Sequence, residues 1–192
     1  WYGVTEWRAS LAGLEPLADR LVGLRDSTAD PEAKASEFVN EKKGFDTPRK
    51  ALAGACDILA ERLSDDADIR KHLRGLAARE GSIVSTARKD FAEKKTKFTM
   101  YYDFREEVST LPSHRILAML RGEREKVLRV ALEMPDHKAC AYLESKLIVH
   151  RGSAAEQLLK NTAKDSFNRL LLPATETEMS VELRADAVTD AS

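Results

Sequence analysis

Apolar residues recur at intervals of three and four along most of the chain. Between Pro48 and Leu63 they fall at Leu52, Ala55, Cys56, Leu59 and Leu63, which puts them on one face of a helix. Helical punctuation frames the same pattern elsewhere. Asp30-Pro31-Glu32 offers an N-cap, a first-turn proline and an acid at the positive helix end. Thr47-Pro48 repeats the device, and Ser153-Ala154-Ala155-Glu156 and Thr175-Glu176-Thr177-Glu178 read as capping boxes. Gly81 follows Arg79-Glu80 as a helix-ending glycine. Together these signals predict helices near 14–24, 31–42, 48–63, 65–80, 113–121, 136–149, 154–171 and 175–190.

Two stretches break the pattern. Arg121-Gly122-Glu123-Arg124-Glu125-Lys126 holds no apolar residue, so roughly two helical turns lack a buried anchor, and Gly122 weakens the helix there. A bend, or a helix end open to a partner, is expected. Val127-Leu128-Arg129-Val130-Ala131-Leu132 then reads either as more helix or as a short strand. The polar run from Gly81 to about Thr99 is the best linker, and Ser82-Ile83-Val84-Ser85-Thr86 inside it favours extended backbone because β-branched residues dominate. The expected organisation is a helical segment over 1–81, a loop-rich basic and aromatic connector over 82–111, and a second helical segment over 112–192. Leu183, Ala187 and Val188 continue helical spacing at the end of the chain. They are expected as an exposed apolar patch, on a chain that continues naturally beyond this piece.

The 192 residues carry 31 Lys and Arg against 32 Asp and Glu, a net charge of -1, with 43% hydrophobic residues. That balance excludes a disordered charged tail. No apolar run approaches the roughly 20 residues a membrane span needs. The opening Trp1-Tyr2-Gly3 lacks the order of a secretory signal and lacks a starting Met. Two cysteines, Cys56 and Cys140, are too few for a disulfide scaffold or a four-cysteine zinc site. Cys56 lies on an apolar stripe and reads as a buried reduced thiol, which suits the cytoplasm.

Chemistry-bearing motifs are few. The sequence holds no phosphate-binding Gly-x-x-x-x-Gly-Lys, no Gly-x-Gly-x-x-Gly, no His-Glu-x-x-His, no Cys-x-x-Cys and no Gly-x-Ser-x-Gly. His137 and Cys140 stand three apart on a helix, but two further metal ligands are not near them in sequence. Ser113-His114 reads as a helix N-cap after Pro112, since adjacent residues rarely face each other as nucleophile and base. No enzyme activity and no cofactor are expected.

Residues 84–130 carry the one charge signal. Eleven cations there oppose seven acids, so the stretch is +4 and the rest of the chain -5. Phe91, Phe98, Tyr101, Tyr102 and Phe104 are interleaved with those cations. Cations neutralise phosphates and aromatic faces stack on unpaired bases, which is the chemistry of a single-strand surface. The candidate nucleic-acid contacts are Arg88, Lys89, Lys94, Lys95, Lys97, Arg105, Arg115, Arg121 and Arg124. The competing reading is a packed aromatic core with a solvated charged face.

The run Met100-Tyr101-Tyr102-Asp103-Phe104-Arg105-Glu106, followed by Leu111-Pro112-Ser113-His114-Arg115-Ile116-Leu117-Ala118-Met119-Leu120-Arg121-Gly122-Glu123, resembles the Tex family of bacterial transcription accessory proteins. Ala53-Gly54-Ala55-Cys56-Asp57-Ile58-Leu59-Ala60-Glu61-Arg62 and Asp165-Ser166-Phe167-Asn168-Arg169-Leu170-Leu171 are similar to the same family, in the same order. Arg88-Lys89-Asp90-Phe91-Ala92-Glu93 departs from the Lys-Gly-Lys-Glu-like run that family members tend to carry. The resemblance implies a helical part of a multidomain protein whose YqgF, helix-hairpin-helix and RNA-binding S1 domains lie outside this chain.

The expectation is thus a predominantly all-α, multi-helix bundle of about eight helices with at most one short strand pair. Its role would be that of a cytoplasmic scaffold, positioning RNA- or DNA-binding domains of the same protein, with the transcription machinery as a further expected partner. Direct nucleic-acid binding through 84–130 is the alternative.

Overall fold

A computed structural model describes residues 11–190. The chain forms two compact units, one combining residues up to Ile69 with Cys140–Leu171 and the other combining Arg70–Ala139 with the chain from Leu172 onward. Neither is a continuous stretch of sequence.

In the first unit, α1 (Glu15–Gly23), α2 (Pro31–Ala35) and α3 (Pro48–Asp65) precede α7 (Glu156–Ser166), which runs into a π-helical turn at Phe167–Leu171. The caps are those the sequence offers. The Asp30 carboxylate accepts the Glu32 N–H at 3.0 Å, and the Thr47 hydroxyl accepts the Lys50 N–H at 3.2 Å. The helix expected over 31–42 ends early: short 3-10 turns take over at Ser36–Phe38 and Glu41–Lys43. Between them Asn40 bridges to Phe45, a reversal closed by Gly44 at φ 84°, where glycine avoids a Cβ penalty.

On α3 the buried face is Ala51, Gly54, Ala55, Ile58, Leu59 and Leu63. Leu52 is only half-buried. Cys56 is also half-buried, and desolvation pushes its thiol up from the ordinary range. Small residues let neighbours come close: a Cβ on Gly54 would stand 2.4 Å from Leu14 Cδ1. Phe167, Leu159 and Ala163 are buried, and the Ser166 hydroxyl donates to the Ala60 carbonyl at 2.8 Å, tying α7 to α3. The Ser153–Glu156 box is not made, because the helix starts at Glu156 after Ala155. The Glu156 carboxylate accepts the Gly152 N–H at 2.5 Å, while the buried Ser153 hydroxyl has no partner among the described residues.

The second unit contains α4 (Ala67–Glu80) from Arg70 on, β1 (Ser82–Ala87), β2 (Asp103–Glu107), α5 (Ser113–Arg124), β3 (Leu128–Glu133) and α8 (Leu172–Asp190), while α6 (Asp136–Leu147) begins in it. The chain is mainly helical, as expected, but the sheet has three strands rather than a single pair. Its order is β2-β1-β3, antiparallel throughout. The stretch 82–111, expected as a loop-rich connector, supplies two of those strands, and Val127–Leu132 resolves as strand. Gly81 ends α4 for steric reasons: a Cβ there would stand 2.4 Å from the Ala77 carbonyl oxygen.

Two further expectations change. Thr175 lies inside α8, which starts at Leu172, so Thr175–Glu178 is not a capping box. Of the three residues expected exposed on that helix, Ala187 is buried, Leu183 is half-buried and only Val188 is open, at 57% exposure.

Candidate nucleic-acid interface

The register decides where each side chain of the 84–130 stretch goes. Ser85 pairs with Phe104 on one side and Val130 on the other, and Thr86 with Asp103 and Arg129. Successive side chains of a strand point to opposite faces. Ile83, Ser85, Phe104, Val130 and Leu132 therefore share one face. Ile83 and Val130 line a small apolar crevice there with Ile116, Met119 and Leu120 of α5 and Leu183 of α8. Val84, Thr86, Arg105, Arg129, Ala131 and Glu133 share the opposite, more open face.

The aromatics go inward. Phe98 and Tyr101 are each only 4% exposed, and Phe91, Tyr102 and Phe104 are half-buried. Tyr101 meets Phe104 edge-on, with ring centroids 5.3 Å apart. The Tyr102 hydroxyl donates to the Lys94 carbonyl at 2.8 Å, which fixes the loop between β1 and β2.

Four of the nine candidate cations hold carboxylates. Lys97 and Arg121 share one oxygen of Glu125, at 3.0 and 2.9 Å, and their hydrogen bonds, that of Lys97 first, hold the Glu125 carboxyl below its usual range. Arg115 pairs with Glu106 at 2.7 Å and stands 5.6 Å over the Phe104 ring. Arg105 pairs with Glu133. Arg88 Nε donates to the Leu128 carbonyl at 3.2 Å, and Lys94 Nζ sits 5.4 Å over the Phe91 ring. Lys89, Lys95 and Arg124 are exposed, with no ion-pair partner among the described residues.

The fold brings one part of this set together. Arg88 N–H donates to the Val127 carbonyl at 2.9 Å, which fastens the end of β1 beside the start of β3. An open groove of about 620 Å³ lies there, in which Arg88, Lys89 and Arg129 face an equal number of carboxylates, Asp90, Glu123 and Glu176. Sequence spacing does not single out Arg129; its pairing opposite Thr86 is what places it beside Arg88. Nor does spacing single out Lys126. It is exposed, adjoins the groove strand, and has φ 61°, the one positive non-glycine φ among the described residues.

A family model described as Tex central region-like matches residues 26–192. The chain belongs to that Tex family. It is 38% identical over 180 residues to the "Uncharacterized protein YdcI" of Bacillus subtilis, covering 93% of this chain and 25% of that protein. It is 36% identical over 197 residues to "Protein tex" of Bordetella pertussis, covering 94% and 24%. To the "Transcriptional accessory protein Tex" of Neisseria gonorrhoeae it is 33% identical over 184 residues, covering 93% and 24%. The chain thus spans about a quarter of the length of these relatives.

The Tex-like motifs have structural roles in this chain. Pro112-Ser113 opens α5, and the Ser113 hydroxyl donates to the Asp190 carboxylate of α8 at 2.6 Å. Gly122 is buried where a Cβ would stand 2.5 Å from Leu128 Cδ1. In the other motif pair, Arg169 reaches Asp165 at 2.9 Å and Asp57 at 3.4 Å. Among the described residues, no three His, Cys, Asp or Glu side chains come together as metal ligands, and no helix is long and apolar enough to cross a membrane.

Proposed function

We propose that this chain is the helical scaffold portion of a Tex-like RNA-binding transcription accessory protein. It positions nucleic-acid-binding domains that lie outside it, in the cytoplasm, and performs no catalysis itself. The observation that carries this reading is the use of the recognisable motif residues inside the fold. Tyr101 and Gly122 are buried, and Arg105, Arg115 and Arg121 hold carboxylates. Rings packed on neighbouring side chains are not free platforms for base stacking. The name of the Neisseria relative, a transcriptional accessory protein, supports the transcription setting.

The test is made in the full-length protein. Phe167 is fully buried, so Phe167→Asp places an unpaired charge in the first unit and disrupts it. A scaffold role requires nucleic-acid affinity of the whole protein to fall with this change, although no contact residue is altered. Unchanged affinity, with the segment shown to be unfolded by proteolysis, would overturn the reading.

A further inference from the structure

We infer that the outer edge of β2 is a docking site for an extended segment of a partner protein, which joins the sheet as a fourth strand and carries lysine or arginine at two positions four residues apart. This goes beyond the scaffold reading and does not depend on it. The ladder with β1 sets which backbone groups of β2 face outward. The Ala87 N–H donates to the Tyr102 carbonyl at 3.0 Å, and the Val108 N–H to the Gly81 carbonyl at 2.9 Å. Between these bonds the register runs from Thr86 opposite Asp103 to Ser82 opposite Glu107. Hydrogen-bonded and non-hydrogen-bonded pairs alternate along an antiparallel ladder. Phe104 and Glu106 therefore bond to β1, whereas the N–H and C=O groups of Asp103, Arg105 and Glu107 point away from it.

The two edges of the sheet differ. On β3, the outward N–H groups of Val130 and Leu132 are taken by Glu123 and Glu176, and the Leu128 carbonyl by Arg88. On β2, the Thr110 hydroxyl donates to the Glu107 carbonyl at 3.3 Å. The three outward N–H groups and the carbonyls of Asp103 and Arg105 have no hydrogen-bond partner among the described residues. Asp103, Arg105 and Glu107 are all exposed. An edge of unpaired N–H and C=O groups is a template for a further strand.

Side-chain charge selects the occupant. Asp103, Arg105 and Glu107 project from one face of β2, because alternate residues of a strand share a face. Arg105 is held by Glu133, but the carboxylates of Asp103 and Glu107 have no ion-pair partner among the described residues. Opposite residues of neighbouring strands are close enough for such pairs to form. A strand with cations at the first and last of five positions meets both carboxylates in either direction. A second copy of β2 fits worse. Antiparallel pairing centred on Arg105 sets Arg105 against Arg105 and Asp103 against Glu107, and like charges directly opposite are unfavourable. Registers that set Arg105 against Asp103 or Glu107 of the copy align three residues instead of five, and compete with Glu133 for the guanidinium.

The test titrates the full-length protein into two labelled synthetic peptides, one with the core Lys-Thr-Glu-Val-Lys and one with the charge-reversed core Glu-Thr-Lys-Val-Glu. Fluorescence anisotropy should show saturable binding of the first and about tenfold weaker binding of the second. Asp103→Lys with Glu107→Lys should exchange the preference, making the charge-reversed peptide the tighter by about tenfold. Arg105→Pro removes an outward N–H and spares the ladder with β1, so it should abolish binding that Arg105→Ala retains. Melting curves show whether each variant is folded, and the exchange of preference decides alone if Arg105→Pro is not. No saturation by the first peptide at about 1 mM protein, or a double variant that still prefers it, would overturn the site. A wild-type dimer that Arg105→Pro converts to monomer would give the edge to a second copy and overturn the occupant.

Discussion

The Glu176 carboxylate accepts the backbone N–H of Leu132 at 3.0 Å. Leu132 belongs to the edge strand β3, and its N–H points away from β1. Glu123 does the same for Val130 at 3.3 Å, and Arg88 covers the Leu128 carbonyl. Three outward polar groups of one edge are thus closed by side chains from three elements. Open edges are templates for pairing with other chains, so these contacts protect the sheet as well as stabilise it. Glu176→Ala is expected to cost about 1.5–3 kcal/mol, the range for a hydrogen bond to a charged group, and to increase self-association. Urea unfolding and light scattering measure both, and no change in either would contradict the role assigned to Glu176.

Glu178 of α8 faces Arg70 and Arg74 of α4, with Arg74 at 2.6 Å. Burial alone would raise its carboxyl, but hydrogen bonds from Arg74 and Arg70 more than reverse this, and its pKa falls below the usual 4.5. A carboxyl depressed in the folded state stabilises above its unfolded pKa, and that stability is lost as pH falls through the folded pKa. The contribution is therefore full at neutral pH and declines below about pH 4.5. In Glu178→Gln the acid limb of the stability profile should be shallower, as read from chemical denaturation at several pH values.

Gly122 and Gly23 make a matched pair. A Cβ on Gly122 would stand 2.5 Å from Leu128 Cδ1 and 3.2 Å from Phe98 Cδ1, whereas one on Gly23 meets nothing within 4 Å among the described residues. Leu128 and Phe98 are both buried, so neither can swing away cheaply. Gly122→Ala should destabilise by about 1–3 kcal/mol through overpacking, despite the better helix propensity of alanine. Gly23→Ala should stabilise by about 0.4–1 kcal/mol. Thermal melts of the two variants should move in opposite directions.

Lys126 occupies a position that glycine favours. The Lys126 N–H donates to Glu123 and the Val127 N–H to Gly122, at 2.9 and 3.0 Å, the paired bonds that end a helix through a left-handed residue. With φ 61°, lysine carries steric cost there of about 1–2 kcal/mol. Lys126→Gly should recover part of it, about 0.5–1 kcal/mol, raising the denaturation midpoint. A lower midpoint would show that the lysine side chain contributes more than its backbone strain removes.

Local signals were readable in the sequence wherever one residue and its near neighbours settle the outcome. Asp30 and Thr47 cap helices because their side chains reach an N–H two or three residues on, and the apolar spacing of α3 finds Ala55, Leu59 and Leu63 of its buried face, while Ala51, Gly54 and Ile58 are buried only by the neighbours the helix meets. The same reasoning failed where the deciding partner is distant. Asp103-Phe104-Arg105-Glu106-Glu107 has no strand-like apolar alternation and becomes β2 because β1 supplies its ladder. Val127–Leu132 reads as helix or strand from its sequence, and becomes strand because the same β1 pairs with Leu128–Glu133. Thr175–Glu178 looked like a helix start, yet the chain continues helically from Leu172.

The sequence by itself determined a mainly helical chain, its Tex-like motifs and the excess of cations in 84–130. Only the tertiary structure decided which of those cations remain available. Arg115 finds Glu106 nine residues back, and Arg105 finds Glu133 twenty-eight residues on, pairings that arise from the meeting of strands and helix. Lys89 and Arg129 meet at one groove for the same reason. Charge is a property of residues, but whether it is neutralised depends on neighbours that the chain acquires only by folding.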